Sequence, residues 1–159
     1  MELKYNDGGR KEAGFKGKTN DCVVRAIAIA SEQPYIKVYN KLENLNTLCS
    51  KHSWSRVAKK LQSSGSSPRN GTFKKVYDNY IKSLGFVWKP CMTIGSGCKV
   101  HLRKEELPTG RIICRLSRHL VAVVDGVLND TYDCSRNGTR CVYGYYYKPE
   151  GGSNEVLGI

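Results

Sequence analysis

In the first half of the chain apolar residues recur at three- and four-residue spacing. In the second half they gather in short runs of β-forming types. The stretch Cys22-Val-Val-Arg-Ala-Ile-Ala-Ile-Ala30 is apolar around nearly its whole circumference, which predicts a buried central helix rather than a surface one. Ahead of it, Thr19-Asn20-Asp21 are residue types that cap helices. Pro34 opens a second helix with Tyr35, Val38, Tyr39, Leu42 and Leu45 on one face. Thr72 is placed to cap a third, in which Phe73, Val76, Tyr77, Tyr80, Ile81 and Leu84 repeat at helical spacing until Gly85 ends it.

After Gly85 the pattern changes to strands: Phe86–Trp88, Arg111–Leu116, Leu120–Val124, Val127–Thr131 and Cys141–Tyr147. Asp125-Gly126 is a strong signal for a two-residue hairpin turn. Helices followed by strands predict an α+β domain, with N-terminal helices packed on a C-terminal antiparallel sheet. Residues 1–18 are Gly- and Lys-rich and read as a surface arm. Residues 50–71 are basic and Ser/Gly-rich, apart from Trp54–Leu61, and read as a loop excursion too short to divide the chain. One domain over residues 1–159 is the expectation.

Composition narrows the function classes. Hydrophobic residues make up 40% of the 159, which excludes a mainly disordered chain. The longest nearly uncharged apolar run, around Ile27–Ala30, is too short to span a bilayer, and the N-terminus lacks the apolar stretch of a secretory signal. A soluble, cytoplasmic protein without membrane partners is expected. With 26 Lys+Arg against 14 Asp+Glu the formal charge is +12, which raises the prospect of an acidic partner. Nucleic acid is not favoured as that partner, because the charge comes without zinc-finger spacing, an RNA-recognition aromatic signature or a clear helix-turn-helix. Seven cysteines leave at least one thiol free whatever the pairing.

Cys22 stands at the first turn of the predicted central helix. Unpaired amides and the helix dipole there stabilise a thiolate, and the same amides can hold an oxyanion. If Asp125-Gly126 forms a two-residue turn, Val124 pairs with Val127 and Asp130 falls opposite Val121. Alternation then puts His119, Val121 and Asp130 on one face. A diagonal pair across a hairpin is within reach for long side chains, so Asp130 can hold one imidazole nitrogen and leave the other to take a thiol proton. Asp133 falls on the opposite face in this register, and only a bulge would exchange the two acids. Each residue also has an ordinary structural explanation: a small buried cysteine, and a strand-end histidine bonded to backbone. In combination, a cysteine at an early helix start with a histidine and an acid on late strands follows the order of papain-like enzymes.

Asn20-Asp21-Cys22-Val-Val-Arg25-Ala26-Ile-Ala28 followed by Pro34-Tyr35 resembles the opening of phage- and plasmid-encoded proteins of papain-like fold, themselves distantly similar to bacteriocin-leader peptidases. Arg118-His119-Leu-Val-Ala122-Val-Val-Asp125-Gly126-Val-Leu-Asn-Asp130-Thr131 is similar to their His-strand-turn-Asp pattern. Asn70-Gly71, Gly85 and Val142-Tyr143-Gly144-Tyr145 add to the likeness, which covers roughly residues 15–147. The resemblance implies Cys22 as nucleophile, His119 as base and Asp130 as its orienter. Papain-like peptidases usually carry a glutamine a few residues before the cysteine as an oxyanion donor. Here Lys16 stands six before Cys22 and no glutamine lies upstream. Asn20 either supplies that amide donor or caps the helix.

No cofactor or metal is expected. Cys91, Cys98 and His101, Cys134 and Cys141, and Cys49 with His52 do not form the paired Cys-x-x-Cys spacing of structural zinc. The expected activity is a cysteine-dependent hydrolase, a peptidase or isopeptidase acting through an acyl-enzyme on a peptide or protein substrate, acidic ones included. An acyltransferase would use the same triad. A non-catalytic basic protein on this scaffold, binding nucleic acid or a host protein, is the alternative from another class.

Overall fold

A computed structural model describes residues 1–17, 19–52, 55–65 and 67–149. Strand β1 (Leu3–Tyr5) precedes helices α1 (Cys22–Ser31), α2 (Tyr35–His52), α3 (Arg56–Ser64) and α4 (Lys74–Ser83). Strands β2 (Val87–Pro90), β3 (Arg111–Leu116), β4 (His119–Val124), β5 (Val127–Asp130) and β6 (Gly144–Tyr147) follow. The fold is α+β, with the six strands in the order β1-β5-β4-β3-β6-β2.

The sheet is mixed rather than antiparallel. Leu3–Tyr5 pairs parallel to β5, while the other neighbours run antiparallel. Part of the expected surface arm is therefore an edge strand. Its three residues are all exposed, so they carry no alternation of burial to betray them.

Asp125 and Gly126 both have positive φ, 49° and 78°, as a type I′ hairpin turn requires. That turn sets Val124 opposite Val127 and Ala122 opposite Asn129, the expected register. At the other end of β4, Leu116 pairs with His119 across a two-residue turn in which Arg118 takes φ 55°.

Alternation along β4 divides two cores. Leu120 and Ala122 join a cluster with α1, α2 and α4, while Val121 and Val123 join Leu102, Leu107, Leu128, Cys134 and Val142 on the other side. Helix α1 packs on β4, and Val23 through Ala30 are all buried, Arg25 among them. Fully buried Val24 and Ile27 each contribute about 1.5–3 kcal/mol of apolar burial. Phe15, Tyr35 and Tyr39 stack over this core with ring centroids 4.6–6.1 Å apart, which ties the end of the N-terminal arm to α2.

Residues 50–71 are not a loop excursion. Helix α2 continues to His52, and α3 follows with Ser55 as a true N-cap that accepts from the Ala58 amide. Ala58 and Leu61 are buried against α2, so two apolar residues anchor an otherwise Lys/Ser-rich helix. Trp54 lies outside the described residues. The cap of α4 also differs from expectation: Phe73, not Thr72, is the N-cap residue, and no side chain caps the helix.

Candidate active site

β4 begins at His119, β5 ends at Asp130 and α1 begins at Cys22. Antiparallel pairing brings the start of β4 to the end of β5, and the packing of α1 on β4 brings its N-terminus to the same edge. His119 Nε2 lies 2.7 Å from Asp130 Oδ2, with both side chains buried. Nε2 is thus committed to Asp130 and Nδ1 is the nitrogen left for a thiol.

Burial of the half-buried Cys22 opposes ionisation. A hydrogen bond and charge from the His119 imidazole, a hydrogen bond from the Leu120 backbone and the charge of Arg25 outweigh it, and the thiol sits below its ordinary value. For His119, burial favours the neutral ring, but Asp130, Cys134 and Cys22 hold it protonated well above its ordinary range. Burial likewise works against the Asp130 carboxylate, and its bonds from His119 and the Thr131 amide, with the charge of Arg25, keep it ionised. All three shifts run in one direction, each toward the charged form of its group: thiolate, imidazolium and carboxylate.

Behind this chain stands a buried polar network. Arg25 pairs with Asp21 one turn earlier on α1, and its Nη2 donates to Asp130 Oδ1 at 3.3 Å. The fully buried Asp21 also accepts from Tyr35 Oη at 2.5 Å and Thr19 Oγ1 at 2.7 Å, with Arg10 Nε 3.6 Å away. These partners overcome burial and depress the Asp21 carboxyl. Because Asp21 is spent on them, the N-cap residue of α1 makes no side-chain cap. The first amides of α1, which begins at Cys22, are thereby left without a capping side chain.

All four residues singled out from sequence come together here: Cys22, His119 and Asp130 as described, and Asn20 exposed in the lining of the cleft beside Cys22. Asn20 is not the cap, since that position belongs to Asp21. Its backbone amide donates to the Arg69 carbonyl at 2.9 Å, which fixes the chain just before the thiol. Lys16 is absent from the lining. Asp133 turns to Ser135, accepting from its amide and hydroxyl at 2.9 and 2.6 Å, so Asp130 is the acid on the histidine.

Sequence reasoning placed three neighbours nowhere in this site, Cys134 having been weighed only as a zinc ligand with Cys141. Arg25 had a signal, a lone charge in an otherwise apolar helix. Tyr132, half-exposed just past β5, sets its ring 5.6 Å from the His119 ring. Cys134, buried beside His119, is the third. Burial and the Asp130 charge push its thiol up despite the imidazole, so it stays neutral.

Ligand atoms of His119, Asp130 and Cys134 all lie within 4.8 Å of one another, the one group among the described residues that could hold a metal ion. A metal there would compete for the histidine and carboxylate atoms that now bond each other. Of the cysteines weighed from spacing, Cys98 and Cys141 form a disulfide with Cα atoms 5.7 Å apart. His101 Nδ1 faces Glu106 Oε1 at 3.3 Å.

The site opens on a cleft of about 790 Å³. Its walls include the N-terminus of α1, the start of α4 with Lys74 and Tyr77, Gly65, the run Asn70–Phe73 and the β3–β4 turn. No helix among the described residues is long and apolar enough to cross a membrane. No protein-family model, no curated protein and no solved structure matches the chain.

Proposed function

We propose that the protein is a papain-like cysteine hydrolase that cleaves amide or isopeptide bonds. The observation that carries this reading is the single imidazole that holds Asp130 Oδ2 at 2.7 Å and acts on the Cys22 thiol. A cysteine in a core needs neither partner, and a strand-end histidine satisfied by backbone would not hold a buried carboxylate. The likeness of residues 20–35 and 118–131 to the phage- and plasmid-encoded papain-like proteins supports the same reading.

In the reaction Cys22 Sγ attacks the carbonyl carbon, and the carbonyl π electrons move onto oxygen. The Cys22 amide and the Asn20 side chain donate to that oxyanion. As the tetrahedral intermediate collapses the C–N bond breaks, and protonated His119 gives its proton to the departing amine. Neutral His119 then takes a proton from water, whose oxygen attacks the thioester. Expulsion of the Cys22 sulfur as a thiolate, beside the protonated His119, releases the acid and restores the starting pair. Asp130 keeps the ring oriented and its positive charge stabilised throughout.

Alkylation by iodoacetamide tests this cheaply. Cys22, identified by peptide mass mapping, is expected to react at pH 7 far faster than the half-buried Cys49. His119→Ala should cut that rate by about tenfold or more, one pKa unit being a tenfold change in thiolate. Equal reactivity of Cys22 and Cys49, or indifference to His119→Ala, would remove the catalytic reading.

A further inference from the structure

The charged side chains that line the cleft at Cys22 are cationic. Lys74 lines the cleft from α4, and Arg115 and Arg118 line it from β3 and the turn before His119. No Asp or Glu is among the described residues of that lining. Arg25 also lines it but is taken up by Asp21 and Asp130. Lys74, Arg115 and Arg118 have no acid within ion-pair distance among the described residues. Asp78, one turn beyond Lys74, pairs instead with Lys82 at 2.9 Å and accepts from Tyr146 Oη at 2.6 Å, outside the cleft. The Lys74 ammonium rests 5.7 Å from the Trp88 ring centroid, and its charge helps lower the Asp78 carboxyl without forming an ion pair with it.

The same sign continues past Asn20. A second cleft of about 660 Å³ shares Thr19, Asn20, Arg25, Asn70 and Tyr132 with the first. It adds Arg69 and Arg10, the latter paired with Asp21 at 3.6 Å, again with no acid among its described lining residues. Arg69 donates to the Lys16 carbonyl, so its charge too is unmatched. A basic surface that only keeps a protein soluble mixes its signs, whereas both connected clefts here exclude acids from their walls. Two guanidinium forks beside a nucleophile suit carboxylates, which they bind in bidentate fashion.

We infer that this groove binds an acidic peptide segment, with Asp or Glu side chains on Lys74, Arg115 and Arg118 and the scissile carbonyl at Cys22. The inference rests on the cysteine-hydrolase reading: the amide bonds that reading has Cys22 cleave are the linkages of a polypeptide, whereas a nucleic acid chain is joined by phosphodiesters. Anionic residues on either side of the cleaved bond would define the substrate, and neutral or basic segments would be turned away by the same field.

The test compares Cys22 alkylation by iodoacetate, an anion, with that by iodoacetamide, its neutral analogue, in the full chain. Their rate ratio cancels changes in the thiolate itself and reports the field of the cleft. Arg118 and Lys74 are exposed, so Arg118→Glu and Lys74→Glu perturb that field without disturbing the core. Reversing one charge at roughly 10 Å through water changes an anion's rate by about fourfold. Each variant is expected to lower the iodoacetate-to-iodoacetamide ratio by that factor at low salt, with the effect shrinking at high salt. A Glu-rich peptide should protect Cys22 from iodoacetamide where single-stranded DNA of equal length does not. Fast iodoacetamide alkylation with a ratio unmoved by both variants, or protection by DNA and not by peptide, overturns the acidic-peptide assignment alone. Slow alkylation by iodoacetamide itself would take the hydrolase reading down with it.

Discussion

Replacing Arg25 by methionine removes the cation that joins α1 to β5 while keeping a side chain of similar reach. Arg25 is 7% exposed and stands between Asp21, fully buried, and Asp130, 3% exposed. Removing one partner of a buried pair costs about 3–5 kcal/mol, because the other charge is left without compensation. The lower end applies here. Asp21 keeps Tyr35, Thr19 and Arg10, and Asp130 keeps His119 and the Thr131 amide. About 3 kcal/mol corresponds to a fall in Tm of about 6–12 °C for a domain of this size.

Acid should shrink the penalty. Folded Asp21 and Asp130 have depressed pKa values, so their stabilisation is present above the unfolded value near 3.9 and is lost as pH falls through the folded values. Without Arg25 both carboxyls shift upward and protonate sooner, which relieves the buried negative charge. Urea unfolding of wild type and Arg25→Met at pH 7 and near pH 4 should therefore show a large gap that narrows on acidification. A loss under about 1 kcal/mol at pH 7, or a gap independent of pH, would show that Arg25 does not compensate these buried carboxylates.

Asp130→Asn keeps the shape of the acid but strips the charge that holds His119 protonated. The inflection of Cys22 alkylation should then move up by about one pH unit or more, toward the value of an ordinary thiol. An unmoved inflection would mean that Asp130 does not act through the imidazole. Gly144→Ala tests the fold apart from the site. A Cβ there would run into the Trp88 ring and lie 2.8 Å from the Lys89 carbonyl oxygen. Overpacking of this kind costs about 1–3 kcal/mol, read as a lower urea midpoint, and an unchanged midpoint would show that β2 can yield.

The site was legible where it depends on local register. A two-residue turn at Asp125-Gly126 leaves one antiparallel pairing, and in it Ala122 meets Asn129 and His119 reaches Asp130. The start of α1 at Cys22 followed from the apolar run after it. The capping role of Thr19-Asn20-Asp21 was not legible, because any of these side chains can cap. Only the folded chain shows Asp21 spent on Arg25 and Tyr35 instead. Helix α3 was hidden because just two of its residues carry the packing signal.

What the sequence determined by itself is what neighbours in the chain decide: helix or strand, turn type, and which side chains alternate onto one face. These follow from sterics and from the periodicity of burial, which a linear pattern records. Tertiary structure decided what depends on residues far apart meeting. Leu3–Tyr5 adds to β5 through backbone hydrogen bonds that carry no side-chain code. Arg25 finds Asp130 across 105 positions, and Cys134 comes to rest beside His119. Charges excluded from a cleft belong to the same class, since one-sided fields arise only when separate elements close around a common space.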